Sequence, residues 1–340
     1  MFKTYRSLLA NGVIGINERN VRYVNLLNPR RRLVTVDDKT VTKQLAKTAG
    51  IPTPELYGVI HDARDMKKLT EMIDHPDGFV VKPAHGSQGK GILVIDSPLK
   101  GGWRLANGRR IDLGAIQFQI NNMLSGMYSL AGQPDKALIE YRVKFDDVFG
   151  NISFKGVPDI RVIVLKGIPV FAMVRLPTAA SDGKANLHRG GVGVGVDIAT
   201  GITQSAMQFD RFIDIHPDTS YTLEGVQTPY WDDILLMAAR AYEMTGLGYV
   251  GVDIVLDRDK GPLLLELNAR PGISIQIANR RGMRSVLERA TALGDEKRDA
   301  PALVALAKEL ASEEGAPQKG ESVIASPDAS VHSEPHDIQP

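Results

Sequence analysis

The sequence predicts an α+β fold in which antiparallel strand pairs dominate. Two pairs of apolar runs, DIRVIVLKG with IPVFAMVRL and YVGVDIVL with PLLLELN, are separated by turns too short for a crossover helix. Such short connections allow only antiparallel pairing. Amphipathic helices lie between other strands, but without the regular strand–helix alternation of a parallel sheet. We therefore expect sheets built mainly from hairpins, with helices packed against them.

Composition and charge exclude several classes of protein. The 340 residues carry a net charge of +1 and include no cysteine. The near-zero charge gives no global electrostatic reason to expect nucleic-acid or anionic membrane binding, and the lack of cysteine excludes disulfides, thiolate nucleophiles and cysteine-based metal sites. No apolar run reaches the roughly 20 residues of a membrane helix, and the N-terminus lacks the pattern of a signal peptide. We expect a cytoplasmic protein.

The N-terminal half is predicted to contain helices and strands around a glycine-rich loop. A helix begins after Asp38, whose side chain can cap it, and ends at Gly50. The segments DARDMKKLTEMID and IDLGAIQFQINNML predict two more helices. GFVVKPA and ILVI predict strands on either side of the loop HGSQGKG. Residues 1–36 show no clear periodicity, and their run Arg30–Arg32 is interpreted as a solvated patch.

The C-terminal half is predicted to be richer in strands. ALIEYRV indicates a buried strand, and GGVGVGVDI indicates a closely packed one because glycine alternates with valine. The best helix is TPYWDDILLMAARAYEMTG, with Thr228 as its cap and Gly246 as its stop. Residues 300–310 predict a further helix. Residues 312–340 are predicted to be disordered because they cannot bury enough apolar surface.

The C-terminal hairpin, YVGVDIVLDRDKGPLLLELN, predicts an oxygen-rich site. If Asp257 and Pro262 close its turn, Asp253 lies opposite Glu266, and Asn268 follows on the same face. Two opposed carboxylates repel by about 3–4 kcal/mol at an effective dielectric constant near 20, and a cation removes this cost. Three hard oxygen ligands suit Mg²⁺ or Mn²⁺ rather than zinc. The alternative is a strand pair with one face in water, and a one-residue register slip would remove the site.

Phosphate-binding features are the next expectation, because protein-bound Mg²⁺ usually also holds phosphate groups. The sequence contains neither GxxxxGK[ST] nor GxGxxG. Lys82 lies on a predicted strand and is followed by a loop, residues 84–91, whose glycines allow backbone N–H groups to turn toward an anion. Lys39, at the start of its helix, offers a second positive charge. Each feature alone is also compatible with an ordinary hairpin or an exposed lysine.

Together these motifs resemble the ATP-grasp superfamily, and within it the ribosomal-protein-S6-modification-type α-L-glutamate ligases and their α-L-glutamate-ligase-like branch. The segments that carry the resemblance are DDKTVTKQLAKTAGIPTPE, VVKPAHGSQGKGI, LIEYRV, DIRVIVLKGIPV, NLHRGG and GLGYVGVDIVLDRDKGPLLLELNARPG. The resemblance implies an ATP-grasp fold, with two α+β subdomains and ATP between them. The predicted parts are an abbreviated N-terminal segment, a lid-bearing subdomain, a subdomain with the metal site, and a disordered tail: residues 1–36, 37–135, 136–311 and 312–340.

The resemblance also implies roles for individual residues. The ATP-binding lysines, the loop and the hinge would be Lys39, Lys82, His85, Gly86, Ser87, Gln88, Gly89, Ile139, Glu140 and Tyr141. The ligands of two Mg²⁺ or Mn²⁺ ions would be Asp253, Glu266 and Asn268. The cations that act on the transferred groups would be Arg161 and Arg189. Arg270 is not implied by the resemblance, and our hypothesis is that this permanent cation beside the metal site grips a carboxylate or phosphate. The substrate would contact Asn186, His188 and Arg189.

The activity implied by the resemblance is an ATP- and Mg²⁺-dependent carboxylate–amine ligase. Members activate a carboxylate as an acyl phosphate, and an amine then displaces phosphate to form an amide. Glutamate or another amino acid would be joined to an amino acid or peptide. Two alternatives stay open: a small-molecule kinase and a non-catalytic ATP-binding regulatory module. The chain departs from the family in its short N-terminus, in the 144–158 insertion, and in Arg270, which stands where the family has serine.

Overall fold

The computed structural model consists of α-helices and antiparallel strands. The described residues are 2–86, 89–129, 132–145, 147–150, 152–209, 211–294 and 296–314. The helices are α1 (Phe2–Ala10), α2 (Ile16–Arg19), α3 (Asn25–Leu27), α4 (Val34–Asp37), α5 (Lys39–Thr48), α6 (Leu69–Met72), α7 (Leu113–Leu124), α8 (Trp231–Thr245), α9 (Ile275–Ala278), α10 (Arg284–Leu293) and α11 (Ala300–Glu314). The strands are β1 (Leu56–Ile60), β2 (Phe79–Pro83), β3 (Leu93–Leu99), β4 (Gly102–Leu105), β5 (Arg110–Ile111), β6 (Ala137–Tyr141), β7 (Asp159–Leu165), β8 (Ile168–Leu176), β9 (Val192–Val196), β10 (Thr203–Gln208), β11 (Arg211–Ile213), β12 (Tyr249–Asp257) and β13 (Gly261–Asn268). The predictions for Ser87, Gln88 and residues 315–340 concern positions outside this range.

Two antiparallel sheets organise the described part of the chain. The first has the strand order β1-β6-β2-β3-β4-β5, and the second has the order β11-β10-β9-β8-β7-β12-β13. Neighbouring strands in both sheets pair antiparallel. The α+β prediction is therefore confirmed. The chain crosses from the first sheet to the second after Tyr141, later than the boundary at residue 136 that the sequence analysis proposes.

Each sheet has its own hydrophobic core. In the first, Ile116, Ile120 and Met123 of α7 pack with Phe79 and Val81 of β2. In the second, α8, α10 and α11 contact the sheet, and their apolar side chains share a core with β7, β8 and β12.

Several predicted helix boundaries are confirmed by their capping geometry. The Asp38 carboxylate accepts the backbone N–H of Thr40 at 2.8 Å, which caps α5. The Asp112 carboxylate accepts the backbone N–H of Ala115 at 2.8 Å, which caps α7. Gly246 ends α8 in the left-handed conformation, with φ of 69°. Local signals alone were enough at these ends, because a cap contacts only its own first or last turn.

Two other helix predictions are wrong, and a third, that of α11, is confirmed with a later end. Helix α8 begins at Trp231 rather than next to Thr228, so the Thr228 side chain is too far from the first turn to cap it. DARDMKKLTEMID forms a 3-10 turn, Asp65–Lys68, followed by the single turn of α6. The Asp65 carboxylate accepts the backbone N–H of His61 at 2.9 Å, a local bond that competes with helix formation. Helix α11 continues to Glu314, beyond the predicted end at residue 310.

The N-terminal residues form helices that belong to the second core. Ile14, Tyr23, Val24 and Val36 are all buried in it. The helix over residues 16–27 joins α2 and α3 through a π-helical turn. A π-turn changes the spacing of residues that face the same way, so the sequence shows no 3.6-residue period there.

Candidate active site

The carboxylate hairpin has the predicted pairing, but for a reason that the sequence analysis missed. Asp253 of β12 lies opposite Glu266 of β13, as expected. The turn, however, is closed by Asp257 and Gly261 rather than by Asp257 and Pro262. A β-bulge after Asp253 leaves Leu265 unpaired and shifts the register by one residue. The bulge therefore cancels the error in the predicted turn.

The Asp253 carboxylate is held by two guanidinium groups. Arg161 of β7 donates to it through Nε at 2.7 Å and Nη2 at 2.6 Å. Arg175 of β8 donates through Nη2 at 2.8 Å and also pairs with Asp159. Arg161 thus pairs with Asp253, and Arg175 bridges Asp159 and Asp253. Arg175 was missed, although its position in AMVRL places it directly across from Asp159.

Burial affects these two carboxylates in opposite ways. Burial raises the pKa of Asp159, the negative charge of Asp253 adds to this effect, and Arg175 opposes it. Burial also disfavours the charged form of Asp253, but Arg161 and Arg175 overcome it and lower the pKa of Asp253. Asp253 is therefore the permanently charged member of the network.

This network changes the argument for a metal ion. The opposed carboxylates were expected to need an external cation, but Arg161 and Arg175 already neutralise Asp253. Asp253 Oδ2 also accepts a hydrogen bond from Asn268 Nδ2 at 3.2 Å, the third bond to that oxygen, while Oδ1 accepts one bond, from Arg161 Nε. The half-buried Glu266 carboxylate has no hydrogen-bond partner among the described residues. The donors that fit Mg²⁺ are therefore the Glu266 carboxylate and the Asn268 side-chain oxygen, since one or two protein ligands commonly suffice.

Among the described residues, no cluster of three or more His, Cys, Asp or Glu side chains is placed to hold a metal. Asp253, Glu266 and Asn268 do not count as such a cluster, because one of the three predicted ligands is an asparagine. They lie together on one face at one end of the hairpin.

Three lysines form the opposite wall of the site. The Glu140 carboxylate of β6 pairs with Lys82 of β2 and lies 2.8 Å from Nζ of Lys43 of α5. The Glu140 and Lys82 side chains are only 3% and 6% exposed. Lys39 Nζ donates to the carbonyl of Gly86 at 2.7 Å. Lys43 was missed by the sequence analysis, although it lies one helical turn after Lys39 on the same face.

Electrostatics links the two walls. Burial lowers the pKa of Lys39, the charge of Glu266 raises it, and Lys82 lowers it further. Helix α5 lies between the sheets, since its lysines reach the first sheet while its body contacts β13. A small pocket between α5 and β13 is lined by Val36, Lys39, Thr42, Lys43, Thr53, Leu264, Leu265, Glu266 and Leu267.

The predicted hinge residues form hydrogen bonds within the first sheet. Ile139 and Glu140 pair with both β1 and β2, and Tyr141 donates its backbone N–H to Glu55 at 2.8 Å. The Tyr141 phenol hydrogen-bonds Asp257, and burial together with this bond raises the pKa of Tyr141. The backbone groups that leave the sheet come after Tyr141.

The glycine loop is anchored at its first residues. The His85 backbone N–H and Nδ1 both contact the Asp135 carboxylate, Nδ1 at 2.7 Å. His85 Nε2 lies 3.6 Å from Asp38, the cap of α5. Gly89 has φ of 67°, and an added Cβ there would meet no atom within 4 Å. The start of the loop is thus tied to the helix that presents Lys39.

The segment NLHRGG covers the sheet face that carries the arginines. Asn186 caps a 3-10 turn by accepting the backbone N–H of His188 at 3.0 Å. A Cβ added to Gly193 of β9, which pairs with Arg175, would lie 3.1 Å from the Leu187 side chain. His188 and Arg189 are exposed. Asn186 therefore has a structural role here, while His188 and Arg189 project toward solvent.

Arg270 also has an exposed side chain, immediately after the hairpin. Its carbonyl accepts from Arg19 Nη1 at 3.3 Å, and the carbonyl of Pro271 accepts from the same group at 2.6 Å. Arg19 was not anticipated. Its own burial, at 8% exposure, shows that the loop after Asn268 is fixed by the N-terminal helix.

Two α+β units that face each other across a cleft, with lysines on one wall and an acidic hairpin on the other, define the chain as an ATP-grasp protein. The chain belongs to the sugar-transfer associated ATP-grasp family, whose model matches residues 18–292. The predicted superfamily is thereby confirmed.

Curated relatives agree with the predicted resemblance. A probable alpha-L-glutamate ligase of Pseudomonas putida is 26% identical over 247 residues, covering 73% of this chain and 60% of the relative. The ribosomal protein bS6–L-glutamate ligase of Salmonella paratyphi B is 28% identical over 247 residues, with the same coverage. The chain thus spans about 60% of the length of the curated relatives that it matches.

Solved structures show similarity at lower identity. The ATP-grasp ligase PsnB complexed with minimal precursor has a TM-score of 0.44 and 15% identity, covering 79% of this chain and 64% of that chain. The D-alanine–D-alanine ligase of Bacillus anthracis has a TM-score of 0.41 and 15% identity, covering 84% and 71%. Across the described residues, no helix is both long enough and apolar enough to cross a bilayer.

Proposed function

We propose that the protein is an ATP- and Mg²⁺-dependent carboxylate–amine ligase that forms an amide through an acyl phosphate. The observation that carries this proposal is the charge arrangement in the cleft. Lys43 and Lys82 share one buried carboxylate, Glu140, which leaves an excess of positive charge in a largely buried place next to Lys39, whose own negative neighbours are Glu266 and Asp135. Buried charge is costly unless it is compensated. The phosphate groups of ATP are the compensating anions that we propose.

The acidic hairpin supports the same reading. Glu266 and Asn268 offer oxygen ligands on the wall opposite the lysines, where Mg²⁺ would neutralise the phosphate oxygens and polarise them for transfer. Arg161 and Arg175 hold their guanidinium groups rigidly against Asp253. Fixed positive groups stabilise the negative charge that develops on oxygen during both phosphoryl transfer and acyl transfer. In this proposal the two arginines supply the fixed positive charge, and the lysines orient the nucleotide.

The substrates proposed are a carboxylate and an amine, one of them an amino acid. The names of the curated relatives support glutamate as the amino acid. The name of the family supports an acceptor that is associated with sugar transfer. Exposed His188 and Arg189, beside the arginine-bearing face, are the proposed contacts for a substrate carboxylate.

An ADP-release assay with a panel of amino acids, peptides and sugar-linked amines tests the proposal. We expect Glu266→Gln to reduce the rate at least a hundredfold, roughly the loss for one electrostatic stabiliser in a catalytic site. Glu224→Gln changes an exposed carboxylate and is the matched control. Full turnover in Glu266→Gln would contradict the proposed metal role.

Hydroxylamine separates the ligase from the kinase alternative. It attacks an acyl phosphate to give a hydroxamate, but it does not react with a phosphate ester under the same mild conditions. We expect hydroxamate in the presence of the carboxylate substrate and ATP. A phosphorylated product without hydroxamate would identify a kinase, and ATP binding without ADP formation would identify a regulatory module.

A further inference from the structure

The first 36 residues concentrate positive charge. They contain seven basic residues and one acidic residue, a net charge of +6, whereas the whole chain carries +1. The near-neutral total therefore conceals a basic N-terminal part and an acidic remainder. Arg19 is buried and Arg22 pairs with Glu18 and Glu288, but the run Arg30–Arg32 brings three exposed positive charges together, and such a cluster acts on nearby anions.

The helix over residues 16–27 exposes large apolar side chains on its outer face. Ile16, Val21 and Leu26 are 58%, 61% and 73% exposed. The π-helical turn in this helix joins residues five apart, so that Val21 and Leu26 lie one turn apart on the same side. Side chains exposed to this extent project from the surface and do not line a groove.

Basic side chains follow this helix directly. Arg30, Arg31 and Arg32 form a 3-10 turn, and all three are exposed. None of them forms an ion pair with any residue that the structure describes. The next helix, α4, adds Val34, which is 53% exposed. We call these seven residues the N-terminal basic–apolar surface: Ile16, Val21, Leu26, Arg30, Arg31, Arg32 and Val34.

The inner face of the same helix is attached to the candidate active site. Arg19 donates to the Pro271 carbonyl at 2.6 Å, and Asn28 Nδ2 donates to the Ala269 carbonyl at 3.0 Å. These carbonyls belong to the loop that follows Asn268. The outer surface therefore has a fixed orientation relative to the cleft.

We propose that the N-terminal basic–apolar surface docks on an anionic lipid bilayer and places the active-site cleft at the membrane surface. Positive charge beside projecting apolar side chains is the composition of elements that lie in the headgroup region. A second copy of the chain is a poor occupant, because two surfaces of the same positive charge repel each other. A bilayer accommodates single projecting side chains, whereas a folded protein partner needs complementary pockets for them.

Sedimentation with lipid vesicles tests the proposal with the full chain and without any substrate, so its result is independent of the proposed ligase activity. We expect binding to vesicles of phosphatidylglycerol and phosphatidylcholine in equal parts, and little binding to pure phosphatidylcholine. The triple variant Arg30→Gln, Arg31→Gln, Arg32→Gln should lower the partition coefficient at least tenfold, because each basic residue near an anionic surface contributes about fivefold. Val21→Ser combined with Leu26→Ser should also weaken binding.

Two matched controls change similar residues elsewhere. Lys67→Gln combined with Lys68→Gln removes exposed basic charge from the first unit, and Phe118→Ser removes a side chain that is 67% exposed. Both controls should bind anionic vesicles as the wild type does. Urea unfolding establishes that each variant is folded before its binding is compared.

Three outcomes would overturn the proposal. The first is the absence of binding to anionic vesicles at low salt, which would leave an acidic protein partner as the occupant of the surface. The second is equal binding to neutral and anionic vesicles. The third is a loss of binding in the controls as large as the loss in the surface variants.

Discussion

At the residue scale, Glu140 carries the most consequential charge in the cleft. Its side chain is 3% exposed and pairs with both Lys43 and Lys82. Burial disfavours the charged form, but the two lysines overcome this and lower the pKa of Glu140. One carboxylate thus organises two of the three cations that we propose to meet phosphate.

Glu140→Gln should destabilise the protein by about 3 kcal/mol, because it leaves two buried ammonium groups without a negative partner. The free energy of unfolding in urea measures this. Added MgATP should recover part of the loss, since phosphate would replace the missing charge.

Asp62→Asn is the control for this substitution. Asp62 pairs with Arg64 in a setting where the Arg64 side chain is 89% exposed, and such pairs contribute little. We expect no measurable change in unfolding or in MgATP binding. An equal loss in the two variants would argue against a special role for the buried lysine–glutamate cluster.

The ion pairs of Arg175 could not be predicted from the sequence of its own strand. The alternation of β7 places Asp159 and Arg161 on one face, but two arginines and two aspartates on that face allow more than one pairing. The structure pairs Arg161 with Asp253 and lets Arg175 bridge Asp159 and Asp253. Only the order of the strands decides between these pairings.

At the scale of elements, α5 is the connection between the two walls of the cleft. It presents Lys39 and Lys43, and Asp38 caps its first turn. The same Asp38 carboxylate lies 2.9 Å from Lys136 Nζ, next to the glycine loop. The stability of one helical turn therefore controls the position of two cations.

Asp38→Ala should cost about 1 kcal/mol of unfolding free energy through loss of the cap, and it should also weaken ATP binding, because Lys39 lies in the uncapped turn. Calorimetric titration with ATP measures the second effect. Asp112→Ala removes the equivalent cap of α7 and should cost similar stability while leaving ATP affinity unchanged. Equal ATP affinities in the two variants would show that the capped first turn of α5 does not contribute to nucleotide binding.

The contribution of the Asp38 cap to the free energy of unfolding should depend on pH in the acidic range. Burial raises the pKa of Asp38, but hydrogen bonds from Thr40 and Lys136 dominate and bring it to about 2, below the usual 3.8. The folded protein therefore takes up this proton less readily than the unfolded chain. The stabilisation is present above about pH 4 and is lost as the pH falls through about 2.

Asp38→Asn should consequently lose less stability than the wild type over that acidic interval. Urea unfolding at a series of pH values gives, for the variant and for the wild type, the slope of the unfolding free energy against pH. Parallel slopes would show that Asp38 does not contribute.

At the scale of the whole molecule, the N-terminal helices are part of the second unit. The Asn28 side chain accepts the Tyr249 backbone N–H at 2.9 Å and donates to the carbonyls of Tyr249 and Ala269 at 2.7 and 3.0 Å. These bonds fasten the N-terminal segment to β12 and to the loop that follows β13. The hairpin that carries the proposed metal ligands thus depends on residues more than two hundred positions earlier in the chain.

Asn28→Ala should destabilise the protein by about 2–4 kcal/mol, since it leaves buried backbone groups without partners. It should also raise the Mg²⁺ concentration needed for half-maximal activity, because the loop beside Asn268 loses its anchor. Asn25→Ala changes an exposed neighbour and should do neither. A stability loss without a change in Mg²⁺ dependence would confine Asn28 to a structural role.

Local patterns in the sequence were enough to predict the sheet-rich fold, the cap of α5, the end of α8 at Gly246, and the row formed by Asp253, Glu266 and Asn268. These features depend on contacts between near neighbours: the two-residue period of a strand, a cap on its own first turn, and a hairpin on a short turn. The motifs kept their order along the chain, so the superfamily was accessible as well.

The tertiary structure alone decided which charges meet. Lys43 with Glu140, Arg175 with Asp253, and Arg19 with the loop after Asn268 are contacts between elements far apart in the chain. No local period specifies such pairs, because they arise from the packing of sheets and helices against one another. For that reason the sequence indicated a cation beside Asp253, and the structure showed that the protein's own arginines supply it.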